Sequence, residues 1–167
     1  MSPPASPPAR VAPHVLQLGT GWFPEAQGGA ENIFYQLAMR LPELGVRLFG
    51  LVHGSRQVAV DSAGRVASFA PASASLAQRV MAARSCTVEA LRRHDPNLVA
   101  SHFALTMLGG LPAIGDRPLV VHFHGPWALE SAAEGQHALA VRLKFLVERL
   151  VYGRAARFIV LSNAFAG

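Results

Sequence analysis

The sequence predicts an α/β fold, a Rossmann-like parallel sheet with helices on both faces, and three observations predict it. Short apolar runs alternate with segments of helical periodicity along nearly the whole chain. The run from Pro118 to Phe123 is almost continuously apolar, as a strand buried on both faces is. The composition, 51% hydrophobic and 15% charged, suits a sheet covered on both sides. At 167 residues the chain fits one domain with a real core.

Residues 1–13 hold five prolines and read as a disordered leader, with the domain spanning 14–167. His14 to Gly19 is the first strand. Asn32 to Leu44 follows as an amphipathic helix, with Ile33, Phe34, Leu37, Leu41 and Leu44 on one stripe. Pro42 ends or kinks it near Leu41. Val46 to Val52 is the second strand. Val58–Val60 and Val66–Phe69 read as short strands of a hairpin-like unit around the turn Asp61-Ser62-Ala63-Gly64. Ala74 to His94 is helical, with Leu76, Val80, Ala83, Val88 and Leu91 facing inward, and Asp95-Pro96 stops it. Leu98–Ser101 is a brief strand, Ala104–Leu111 a small helix and Pro118–Phe123 a strand. Glu134 to Tyr152 reads as the longest helix, with Leu139, Leu143, Leu146, Val147, Leu150 and Val151 as its core stripe. Arg157 to Leu161 is the last strand, before a turn at Ser162-Asn163.

A formal charge of +5 is compatible with phosphorylated ligands or anionic lipid head groups. The arginines are scattered and no basic–aromatic platform exists, which argues against nucleic acid. Cys86 is alone, so the chain can build neither an internal disulfide nor a cysteine metal site. No signal peptide and no membrane-spanning run is seen, which makes a cytoplasmic location the default. The basic amphipathic character of residues 134–152 leaves peripheral membrane association open.

The richest stretch is Gly19 to Glu31, a glycine-bearing loop between a strand and a helix. Gly28 and Gly29 have no side chain to hold an anion away from the unpaired N–H groups of the helix start. That points to a phosphate-bearing ligand, with a purely structural turn as the other reading. The dinucleotide fingerprint is not met, because Pro24 stands at its third glycine position. No Gly-Lys-Ser/Thr phosphate loop exists either. Trp22 and Phe23 in this loop read as exposed contacts for a sugar or lipid or as packing residues, and Trp22 is retained as a candidate sugar contact.

His102 and His124 both end apolar strands, where ligands of parallel sheets bind. An imidazole there can donate to a sugar hydroxyl or act as acid or base. No carboxylate lies within a few residues of either, so a metal is not expected. His122 shares a strand face with His124 and reads as packed. His14, His53, His94 and His137 have ordinary structural readings. Gly125-Pro126-Trp127 makes a turn that holds Trp127 near His124, suited to stacking on a sugar ring.

Several segments taken together resemble one family. Gly28-Gly29-Ala30-Glu31, Asp95 to Phe103, Val121-His122-Phe123-His124-Gly125-Pro126-Trp127-Ala128-Leu129-Glu130, and Glu148–Tyr152 with Ala156–Ser162 are similar, in order and spacing, to segments of family 4 retaining glycosyltransferases of the GT-B fold. The resemblance covers nearly all of the chain after the leader. It implies the N-terminal, acceptor-side domain of a hexosyltransferase-type enzyme, lacking the C-terminal donor-binding domain. It implies a nucleotide-sugar donor as co-substrate and no cofactor or metal. The acceptor would be a glycan, a lipid or a small molecule. By resemblance, Gly28 and Gly29 approach the donor diphosphate, His124 contacts the transferred sugar, and His102 and Trp127 line the acceptor side. The fragment alone is expected to be inactive. The rival readings are a non-catalytic nucleotide- or phosphate-binding module and, behind it, a nicotinamide oxidoreductase.

Overall fold

A computed structural model describes residues 12–161. The leader up to Val11 and the turn at Ser162-Asn163 lie outside the described residues. The elements in order are β1 (His14–Gly21), α1 (Gly29–Arg40), β2 (Arg47–His53), α2 (Gln57–Asp61), β3 (Val66–Ala70), α3 (Leu76–His94), β4 (Leu98–Ser101), α4 (Ala104–Leu108), β5 (Leu119–Phe123), α5 (Trp127–Ala133), α6 (Ala138–Tyr152) and β6 (Arg157–Val160). One six-stranded sheet runs β3-β2-β1-β4-β5-β6, and every neighbouring pair is parallel. This is the doubly wound Rossmann-like order, and the direction of winding reverses between β1 and β4. Chains of this order leave a crevice at the carboxyl ends of those two strands.

Two apolar clusters cover the sheet. Leu16, Leu18, Leu51, Val99, Leu119 and Val121 pack with Ala83, Ala90 and Met107 from α3 and α4. Trp22, Phe34, Ala38, Leu48, Val52, Val58 and Val66 form the other, under α1 and α2. Gly19 serves this second cluster: a β-carbon there would stand 2.5 Å from the Phe34 ring. The glycine that resembles the start of a dinucleotide fingerprint is therefore a packing glycine.

The structure corrects the sequence reading in four places. Residues 58–60 are not a strand but lie within α2. Because β2 and β3 are parallel, their connection must cross over rather than turn back as a hairpin. The Val-Ala-Val alternation misled because only Val58 is buried, while Val60 is 69% exposed. α1 starts at Gly29, three residues early, on the extended Gly28. The longest helix is α3, 19 residues from a Ser75–Gln78 capping box, and not the segment 134–152. That segment is shortened: Gly135 adopts a left-handed φ of 75°, α6 begins only at Ala138 and holds 15 residues, and a separate short helix α5 (Trp127–Ala133) precedes it.

The inward faces of the two long helices also differ from expectation. In α3 the buried residues are Ala83, Thr87, Ala90 and Leu91, while Leu76 and Val88 are exposed. In α6 they are Val141, Glu148 and Val151, with Val147 packed against the core. Leu139, Leu143, Leu146 and Leu150 point outward, each half exposed or more. The helix is rotated so that Glu148 faces α5, and the leucine stripe is turned away with it. No helix among the described residues is long and apolar enough to cross a membrane.

Candidate active site

The crevice at the β1–β4 reversal is a cleft of about 230 Å³. Its walls come from the ends of β1, β4 and β5 and the starts of α1 and α5. His102, His124 and Trp127 all line it, together with Thr20, Glu31, Glu130 and Tyr152.

His102 sits just past β4. Its backbone N–H donates to the Leu18 carbonyl at 2.8 Å, which extends the ladder and lays the ring across the end of β1. The ring is 3% exposed, edge-on to Phe34 and stacked on His122 at 4.2 Å. Gln17 Nε2 lies 2.9 Å from His102 Nε2 and 3.4 Å from the Phe34 carbonyl. A carbonyl only accepts, so the Gln17 amide nitrogen faces both, and His102 Nε2 must accept. The His102 proton is then on Nδ1, from which it is donated to His124 Nε2 at 3.1 Å. His124 in turn carries its proton on Nδ1, which is buried and has no partner among the described residues. The chain Gln17–His102–His124 thus fixes one tautomer and leaves one N–H donor unused.

The imidazoles are held neutral. Burial, then the neighbouring His122 and His124, pushes His102 down to about 2. Burial and His124 bring His122 down to about 4. His124 is also lowered by burial, opposed by the carboxylate of Glu31. Each of these shifts reflects the cost of charging a ring that few waters reach.

Two carboxylates face this donor array. Thr20 Oγ1 donates to Glu31 Oε1 at 2.5 Å. The other oxygen, Oε2, lies over Gly28, 2.2 Å from where a β-carbon would be. Glu130 Oε1 lies over Gly125 in the same way, at 2.3 Å, and Gly125 has a φ of 152° that other residues rarely adopt. Both carboxylates stand in the first turn of a helix, where partial positive charge favours them. Beneath α5 lies Glu148, 6% exposed. Burial raises its pKa, and the N–H groups of Ala128 and Trp127 oppose that rise. The Tyr152 phenol is pushed up to about 12 by burial and by Glu148 and Glu130, so it stays a neutral donor.

The sequence candidates fall into three groups. His102, His124 and Trp127 converge on the cleft. Trp127 meets Phe103 edge-on at 4.8 Å and carries Lys144 Nζ over one face, also at 4.8 Å. Gly28 and Gly29 do not line the cleft themselves, although Ala30 and Glu31 after them do. The face of Gly29 is open, with nothing within 4 Å of a β-carbon there. Trp22 is corrected: it is fully buried, packs against Tyr35 and Phe34, and donates Nε1–H to Asp61 at 3.3 Å. A residue so enclosed cannot stack on a sugar.

Sequence reasoning assigns no site role to Glu31, Glu130, Thr20 or Tyr152. Glu31 and Glu130 were findable as first-turn acids, once α5 is recognised as a helix. Tyr152 carries no local signal, since only the angle of α6 brings it in. Among the described residues, no group of three or more His, Cys, Asp or Glu is arranged to hold a metal ion.

Fold and cleft define the class: a Rossmann-like domain with a polar cleft at the reversal of a doubly wound sheet. The sequence profile described as Glycosyltransferase Family 4 matches residues 27–167. The chain belongs to that family, and it is an N-terminal GT-B glycosyltransferase domain. Among solved structures it is similar to MurG of Acinetobacter baumannii, with TM-score 0.58 and 12% identity over 90% of this chain. The chain spans 42% of the length of that protein. No curated protein sequence matches it significantly.

Proposed function

We propose that this domain forms the acceptor-side wall of a retaining, metal-independent transfer of a sugar from a nucleotide-diphosphate sugar. The acceptor would be a glycan, lipid or small molecule. The observation that carries this reading is the convergence of a neutral His124, held by His102 and Gln17, with Glu31, Glu130, Trp127 and Tyr152 on one cleft at the sheet reversal. Neutral polar groups preoriented around a cleft suit the hydroxyls of a sugar and cost no reorganisation during transfer. Glu31, Glu130 and Tyr152 supply acceptors and a donor around it. His102 acts through His124 as a positioning residue, and Trp127 offers its free face to the acceptor.

The donor diphosphate is assigned to the open face of Gly29 at the start of α1. Glu31 holds the position over Gly28, so the diphosphate would meet the N–H groups from the Gly29 side. The remaining positive potential would come from the second domain.

The test is transfer from a panel of nucleotide sugars, using this chain alone and joined to a downstream donor-binding half. Turnover is expected only in the joined form, and His124→Ala should lower it by about 10²–10³, the scale for losing one transition-state donor. Full turnover by the 167-residue chain alone, or unchanged turnover in H124A, would overturn the proposal.

A further inference from the structure

Among the described residues there is a cavity larger than the cleft. It lies on the opposite rim, at the amino ends of β1 and β2, and encloses about 550 Å³. Its walls include His14, Arg47, Arg65 and His94, and no carboxylate is among them. Gly45 and Gly64 form its turns, and their outward faces are open. His94 is held flat against Phe49, with ring centroids 4.0 Å apart.

Neither arginine in this pocket has an acidic partner among the described residues. Among the described residues Arg65 Nε is buried with no acceptor, and its Nη2 reaches Met39 Sδ, at 3.7 Å. The nearest carboxylate acting on the group, Asp95, is engaged by Arg117 at 2.5 Å. Helix C-termini also face this rim, and the last-turn residues Arg92, Arg93 and His94 of α3 complement that end. Arg47 and Arg65 belong to no helix: one opens β2 and the other closes the turn before β3. Their charges remain uncompensated. The neighbours register this. After burial, His14 is lowered by Arg47 and then His94, and His94 by Arg93 and then Arg47.

We propose that this pocket is a binding site for a phosphate-class anion, either free phosphate or the phosphate of a lipid head group. Two guanidiniums and two imidazoles supply donors from several sides, and guanidinium is the side chain best fitted to phosphate oxygens. A bound dianion offsets the repulsion among them and favours protonation of both histidines.

The experiment follows the His14 and His94 ring protons through pH titrations by NMR, in chloride and in inorganic phosphate at equal ionic strength. A second arm measures co-sedimentation with phosphatidylcholine vesicles with and without phosphatidylglycerol. Phosphate is expected to raise both titration midpoints by about one pH unit, a tenfold preference for the protonated pocket. Arg47→Gln, at an exposed position, should abolish the rise. Arg92→Gln, whose partner is Glu89, should preserve it. Retention on phosphatidylglycerol vesicles that R47Q loses, without a response to free phosphate, assigns the lipid source and still supports the site. The proposal is overturned if neither anion has an effect, or if R92Q is as damaging as R47Q. Should Arg65→Gln unfold, R47Q alone carries the comparison.

Discussion

At the carboxyl ends of the strands the polar groups lining the cleft include carboxylates and imidazoles; at the amino ends those lining the pocket are guanidiniums and imidazoles, with no carboxylate. In a parallel α/β sheet the helices run against the strands, so their N-termini gather at the first rim and their C-termini at the second. The peptide dipoles then place partial positive charge at one rim and partial negative charge at the other. Glu31, Glu130 and Glu148 answer the first, and the last-turn basic residues of α3 answer the second. The rims differ more in enclosure than in sign. Around the cleft, Gln17 and His102 are buried and bonded to each other, and Glu148 is buried beneath α5. Around the basic pocket, Arg47 is exposed and unpaired among the described residues. The first arrangement fixes directions, as a site that orients a ligand requires, and the second leaves charges free to meet one.

If enclosure is the distinction, substitutions at the two rims should differ sharply. Glu148→Ala should have the largest effect, about 2–3 kcal/mol in chemical denaturation, through a cavity and unsatisfied N–H groups at the start of α5. Glu148→Gln keeps the volume and one acceptor and relieves a buried charge, so it should come close to the parent. An E148A variant as stable as the parent would mean that Glu148 does not support the cleft.

The next effect is of pH. His102 and His122 have folded-state values of about 2 and about 4, below the ordinary imidazole value near 6.5. Their contribution is therefore complete above pH 6.5 and is lost as pH falls. Between pH 6.5 and 4, unfolding should take up about two protons from this pair. Melting temperature measured across that window should drop steadily, and His122→Phe should flatten part of the slope. An unchanged slope in that variant would break the account.

Smaller still is Thr20→Val, which removes the hydroxyl bonded to Glu31. A loss of about 1 kcal/mol is expected, with the His124 titration midpoint shifted as the Glu31 carboxylate moves, a readout that NMR supplies. Smallest is Arg47→Gln, expected within about 0.5 kcal/mol of the parent in stability, as for exposed side chains generally. A large destabilisation there would show that the basic rim is structural.

Legibility followed the range of the interaction. The alternation of apolar runs and helical segments marked each sheet strand, because burial on both faces writes itself into consecutive residues. His102, His124 and Trp127 were findable because they directly follow strands in a fold whose ligands bind there. Trp22 was misplaced because an aromatic residue in a loop looks the same in sequence whether it faces solvent or Phe34. The leucines of α6 show the same limit: periodicity defines a stripe, but only the neighbours decide which stripe is covered.

The sequence by itself determined the fold class, the six strands of the sheet with the long helices between them, and the rim on which the cleft would form, since each rests on composition and spacing within a few residues. The tertiary structure alone decided the tautomer of His124, the closure of Glu31 over Gly28 and the gathering of Arg47, Arg65, His14 and His94 in one pocket. Those depend on contacts between residues tens of positions apart, whose distances are set when helices pack on the sheet and are written in no local pattern.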